Sequence, residues 1–197
     1  MDPKLLSLAK VDLKAARKRA ERDRDPYKRT QSLGWIIRFA GEPNIRPVVD
    51  AAFKSAFENE DSYKAVASAA WPLRALGERG DLRAVRKFLP KVLALVPKIE
   101  NAVARGDALF LLFQALLPIG ETDVAAVLRL LTNTCKEMNS WKGPEILRDV
   151  ALMIGAKNAE KARAIVAGMP ECRARRQAAK RLDAGEMLEP RQFFWER

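Results

Sequence analysis

The sequence predicts an all-α chain of four to five stacked helix pairs, an α-solenoid, from three observations. Trp35-Ile36-Ile37-Arg38-Phe39-Ala40-Gly41 returns thirty-six positions later as Trp71-Pro72-Leu73-Arg74-Ala75-Leu76-Gly77. Weaker echoes end at Gly120 and Gly155, so the intervals between the glycines are 36, 43 and 35 residues. That spacing, with a helix-end glycine closing each unit, is the signature of stacked helix pairs. Nowhere does an alternating apolar pattern suggest a strand.

Asp2-Pro3 is a start signal, and Leu6, Ala9, Leu13, Ala16 and Ala20 form one apolar stripe, predicting a first helix to about Arg24. Asp25-Pro26 opens a second through Ala40, followed by a turn at Gly41-Glu42-Pro43-Asn44. A third carries Ile45, Val49, Ala52, Phe53 and Phe57 on one face. Asp61 caps a fourth that Pro72 is expected to kink or split. Gly77 to Asp81 reads as a stop and a new start. From Asp81 a fifth helix follows, kinked by Pro90 and ending near Pro97.

The sixth, Asn101 to Ile119, is apolar all round over Ala108–Leu117 except at Gln114, which predicts enclosure on several sides. Glu121-Thr122-Asp123 opens the seventh, and Trp141 falls in the loop 139–144. An eighth runs to Gly155, Asn158 caps a short ninth, and a tenth spans about Glu171 to Leu182. One domain over 1–186 is expected: a basic capping helix (1–24), a repeat core (25–169) and a basic helix (170–186). An aromatic tail (187–197) follows.

Composition removes several function classes. With no histidine, Ser-His-Asp and Cys-His catalysis and the common zinc sites are excluded. Cys135 and Cys172 are too few for a disulfide framework and read as reduced thiols. No apolar run reaches the roughly 20 residues of a spanning helix, and no signal-peptide pattern opens the chain. A cytoplasmic protein without membrane association, metal or cofactor is the expectation.

The net charge is +11, and residues 1–30 hold ten Lys and Arg against five Asp and Glu. Arg17, Lys18 and Arg22 near the start, with Arg173, Arg176 and Lys180 near the end, could meet nucleic-acid phosphates or serve as solvated caps.

The helix-pair period, glycine stops and apolar spacing over roughly residues 25–185 resemble the HEAT, armadillo and tetratricopeptide class. The Trp-Leu-Gly-Tyr-Ala-Phe-Pro signature of tetratricopeptide repeats and the full HEAT consensus are not met. The resemblance implies a right-handed superhelix of antiparallel helix pairs, acting as a non-enzymatic scaffold for a protein or peptide, possibly acidic, on its concave face.

On that face Trp35, Arg38, Trp71 and Arg74 are the candidate binding residues. Their alternative reading is packing, with each Trp wedged between repeats and each Arg tied to a neighbouring carboxylate. HEAT-like repeats also host alkylated-base DNA glycosylases, and Asp149, at the Trp position of the fourth echo, is the acid such an enzyme would use. Phe193, Phe194 and Trp195 are expected to cap the last helix pair or to dock in trans.

Overall fold

The computed structural model of the chain describes residues 3–41 and 44–194. They form eleven α-helices and one short 3-10 turn, and no strand occurs among the described residues. The helices are α1 (Pro3–Val11), α2 (Leu13–Glu21), α3 (Pro26–Phe39), α4 (Arg46–Phe57), α5 (Ser62–Glu78) and α6 (Leu82–Leu93). After the turn Val96–Lys98 come α7 (Ala102–Leu116), α8 (Glu121–Glu137), α9 (Lys142–Gly155), α10 (Ala159–Ala167) and α11 (Arg173–Asp183).

The expected starts are made by short polar side chains that accept otherwise unpaired first-turn N–H groups. Asp25 takes the Tyr27 N–H at 2.9 Å and Asp81 that of Ala84 at 3.0 Å. Asn101 and Asn158 act alike on α7 and α10. The same chemistry corrects the first helix. Asp12 accepts the Ala15 N–H at 2.9 Å and holds a non-helical backbone, so one predicted helix becomes two. The expected Asp2 cap and the turn residues Glu42 and Pro43 lie outside the described residues.

Gly77 is not a stop. The helix α5 runs through it to Glu78, and Gly80 at φ +76° turns the chain. Gly77 instead leaves room for a neighbour, since a Cβ there would lie 2.0 Å from Ile119 Cδ1. Nor does Pro72 split α5, which is a single element with Pro72 buried. Pro90 lies inside α6, and Pro97 belongs to the 3-10 turn.

Helices pair as α3/α4, α5/α6, α7/α8 and α9/α10. Along one layer α3 packs on α5 and α5 on α7, while α9 touches α7 and packs on α11; α1 and α2 cover α3. The approach of α3 to α5 is close, since a Cβ on Gly34 would lie 2.8 Å from Trp71 Cβ. On the opposite layer Phe53 of α4 stacks on Phe88 of α6, with ring centroids 3.9 Å apart. One apolar core runs through all of these helices. The all-round pattern is met in part: Ala108, Leu109, Leu112 and Phe113 of α7 are fully buried, whereas Phe110 and Leu111 are half-buried.

Gly185, at φ +71°, turns the chain out of α11 into a closing segment without helix or strand. Its Leu188 N–H reaches the Leu152 carbonyl of α9 at 3.4 Å. The Arg191 N–H donates to Gln114 Oε1 of α7 at 2.9 Å. Phe193 then meets Trp71 of α5, and Phe194 meets Trp35 of α3. The segment therefore crosses α9, α7, α5 and α3 in that order, back along the row. It does not cap the last helix pair.

Candidate binding face

The two repeated tryptophans sit at equivalent places on α3 and α5 because each lies on the stripe that faces the closing segment. Trp71 receives the edge of Phe193, with centroids 5.2 Å apart at 72°, and lies edge-on to Tyr27 at 6.4 Å. Trp35 receives Phe194 at 5.2 Å and 85° and stacks on Phe39 at 5.5 Å. These are the edge-to-face and offset geometries that the ring quadrupoles favour. Phe193 and Phe194 are buried, at 2% and 8% exposure, whereas Trp195 lies outside the described residues.

The Arg191 guanidinium lies 5.8 Å from the Trp71 ring and 5.7 Å from that of Phe193. Burial holds the Tyr27 hydroxyl above its ordinary pKa, with Tyr63 adding to the effect and the Arg191 charge opposing it.

Arg38 and Arg74 converge on one acid. Arg74 Nε donates to Glu78 one turn along α5, and Arg38 Nε reaches across from α3 to the other oxygen of the same carboxylate. Arg38 also lies over Phe39, with Cζ 5.3 Å from the ring centroid. Two cations on one anion leave a surplus positive charge. The Arg74 side chain is mostly buried and its Nη1 has no hydrogen-bond partner among the described residues.

The basic ends are arranged differently. Arg17 pairs with Glu21 at 2.8 Å. Lys18, Arg22, Arg173, Arg176 and Lys180 are exposed and have no carboxylate partner among the described residues. With α2 packed on α3 and α11 on α9 and α10, these charges sit at opposite ends of the row.

Asp149 accepts the Arg148 Nε–H at 2.8 Å, and that bond raises the pKa of the Arg148 guanidinium. Away from the face, a cleft of about 520 Å³ between α4 and α6 is lined by Arg46, Asp50, Arg83, Lys87 and Phe88, with Asp50 pairing both Arg46 and Lys87. Among the described residues no group of three or more acids and thiols could hold a metal ion, and no helix is long and apolar enough to cross a membrane.

Two residues of the face, Gln114 and Glu78, were not candidates in the sequence. Gln114 had a signal, as the lone polar side chain in the apolar run Ala108–Ile119. Glu78 had one through Arg74, four residues before it on the same helix, but nothing in the sequence ties Arg38 to an acid 40 positions away. No family model, no curated protein and no solved structure matches the chain.

Proposed function

We propose that the chain is a non-enzymatic α-solenoid scaffold, a right-handed superhelix of four to five helix pairs, that takes an extended protein or peptide segment along α3, α5, α7 and α9. One observation carries this reading: the face already holds a non-helical segment in the way a peptide groove would. A buried amide accepts a backbone N–H of the segment, and two aromatic slots take neighbouring side chains. Main-chain hydrogen bonding combined with side-chain pockets is the general physics of extended-peptide recognition. Trp35 and Trp71 form the slots, and Arg38 and Arg74 flank them.

The test uses the full chain carrying Phe193→Ala and Phe194→Ala, which frees the slots, and a fluorescein-labelled synthetic peptide of residues 186–197. The double variant should bind the peptide one to one, and the wild type, with its slots filled, at least about tenfold more weakly. A folded double variant that binds no peptide removes the proposal.

The exposed cations at both ends, without a carboxylate partner among the described residues, support a second reading, nucleic-acid binding through Lys18, Arg22, Arg173, Arg176 and Lys180. Its mark is affinity for random duplex or single-stranded DNA that falls steeply with salt, on the order of one log unit per log of salt for each phosphate neutralised. An absence of binding at low salt ends it.

A further inference from the structure

The face has a charge as well as a shape. Phe39 touches three groups: Trp35 at 5.5 Å, Phe194 at 6.3 Å and the Arg38 guanidinium at 5.3 Å. Arg38 is therefore one ring away from the slot that holds the second aromatic of the segment. It binds Glu78 through Nε, its outer Nη1 and Nη2 edge is uncommitted among the described residues, and its side chain is 39% exposed. Behind it stands Arg74, bound to the same carboxylate, its Nη1 fully buried and without a partner among the described residues, so that it adds charge behind Arg38. An extended chain advances about 3.3 Å per residue. The one or two residues after an aromatic pair seated on Trp71 and Trp35 thus pass within reach of this doubly cationic cluster.

We infer that the partner segment taken by this face is an extended peptide with two adjacent aromatic residues followed within two positions by a carboxylate, which Arg38 and Arg74 recognise. The inference rests on the peptide-binding reading above and names its ligand class. An acid completes a site where two guanidiniums share one anion, and a guanidinium edge matches a carboxylate in geometry as well as in charge. A base at the same place meets like charge. After Phe194 the sequence continues Trp195-Glu196-Arg197, an acid followed at once by a base. A partner whose flank is acidic without that base competes for the same place.

The experiment is a small cycle with the full chain. The face is freed in two ways: by Phe193→Ala with Phe194→Ala, and separately by Arg191→Pro, which deletes the N–H that Gln114 accepts and the guanidinium over Trp71 while leaving every helix residue unchanged. Each chain is titrated with labelled peptides of residues 186–197 in three forms: wild type, E196Q and R197E.

The R197E peptide should bind about threefold to tenfold tighter than wild type and E196Q about threefold weaker. Both differences should vanish in a chain that also carries Arg38→Gln and be partly kept with Arg38→Lys. If all three peptides bind within about twofold of one another, the carboxylate inference is overturned while the peptide face stands. If no peptide binds a freed chain that circular dichroism shows to be folded, the peptide face itself falls. If neither freed chain folds, the closing segment is an integral part of the core rather than an occupant, and both readings are overturned.

Discussion

Gln114 and Arg191 meet across 77 residues of sequence: the side-chain oxygen of the first accepts the backbone N–H of the second at 2.9 Å. Gln114 is 8% exposed on a helix whose neighbouring positions are apolar, so its amide has few other partners. Gln114→Leu keeps the volume and removes the acceptor, and the Arg191 N–H, on an exposed residue, then turns to water. A loss of about 0.5–1.5 kcal/mol in urea denaturation is expected. Exchange of the Arg191 amide should accelerate by about tenfold, since 1.4 kcal/mol corresponds to that factor.

Gly34 and Gly77 should both lose stability on replacement by alanine, Gly34 the more, against the order of their distances. At Gly34 the new Cβ meets Trp71 Cβ at 2.8 Å and the Trp71 and Pro72 backbone at 3.1 Å, atoms that no rotamer change can move. Overpacking of about 1–3 kcal/mol outweighs the helix-propensity gain of about 1 kcal/mol, so Gly34→Ala should destabilise and loosen Trp71. At Gly77 the new Cβ meets Ile119 Cδ1 at 2.0 Å, Cγ1 at 2.3 Å and Cγ2 at 3.2 Å, so the whole half-buried, β-branched side chain has to shift. Gly77→Ala should therefore destabilise as well, by less than Gly34→Ala, where backbone stands in the way. Thermal melts of the two variants decide it.

Glu78 should matter more than either arginine it holds. Glu78→Gln leaves two guanidiniums facing each other, one of them largely buried, and should cost about 1–2 kcal/mol. Arg38→Gln removes an ion pair whose cation is 39% exposed and should cost under about 1 kcal/mol. The gap between the two variants should narrow when denaturation is repeated at about 0.5 M NaCl, where exposed charges are screened.

Cys135 gives the fold an alkaline limit. Burial, with the nearby Asp107 charge adding to it, pushes its thiol up to about 12 from an ordinary 9.0. Below pH 9 both folded and unfolded chains keep the proton and the thiol leaves stability unchanged. Between pH 9 and 12 only the unfolded chain ionises, so stability falls by about 1.4 kcal/mol per pH unit. Cys135→Ala should flatten that part of the melting-temperature profile. Near neutral pH a thiol reagent should label Cys172, which is partly exposed, well before the buried Cys135.

The helix starts were legible because a cap is a local event. Asp25, Asp61, Asp81, Asn101 and Asn158 each bond an N–H two or three residues away, a distance a sequence pattern covers. Asp12 carried the same signal, but the apolar stripe running through it suggested one unbroken helix. Gly155 does end α9, whereas Gly77 misled because the residue serves two ends: Gly80 turns the chain, while Gly77 lies within α5 against the Ile119 side chain.

For the face, the Trp and Arg repeat was visible, but what lies on it was not. Aromatic residues at 193 and 194 say only that they will be covered. That they cross back to helices more than a hundred residues earlier depends on the groove, which exists once the helices are stacked.

A row of helices that touch mainly their neighbours melts from its ends, each unit with its own free energy. Here the last stretch of chain is clasped onto α5 and α3, so the α11 end cannot fray without pulling on helices near the start. Releasing that clasp should lower the cooperativity of unfolding, with α11 opening first.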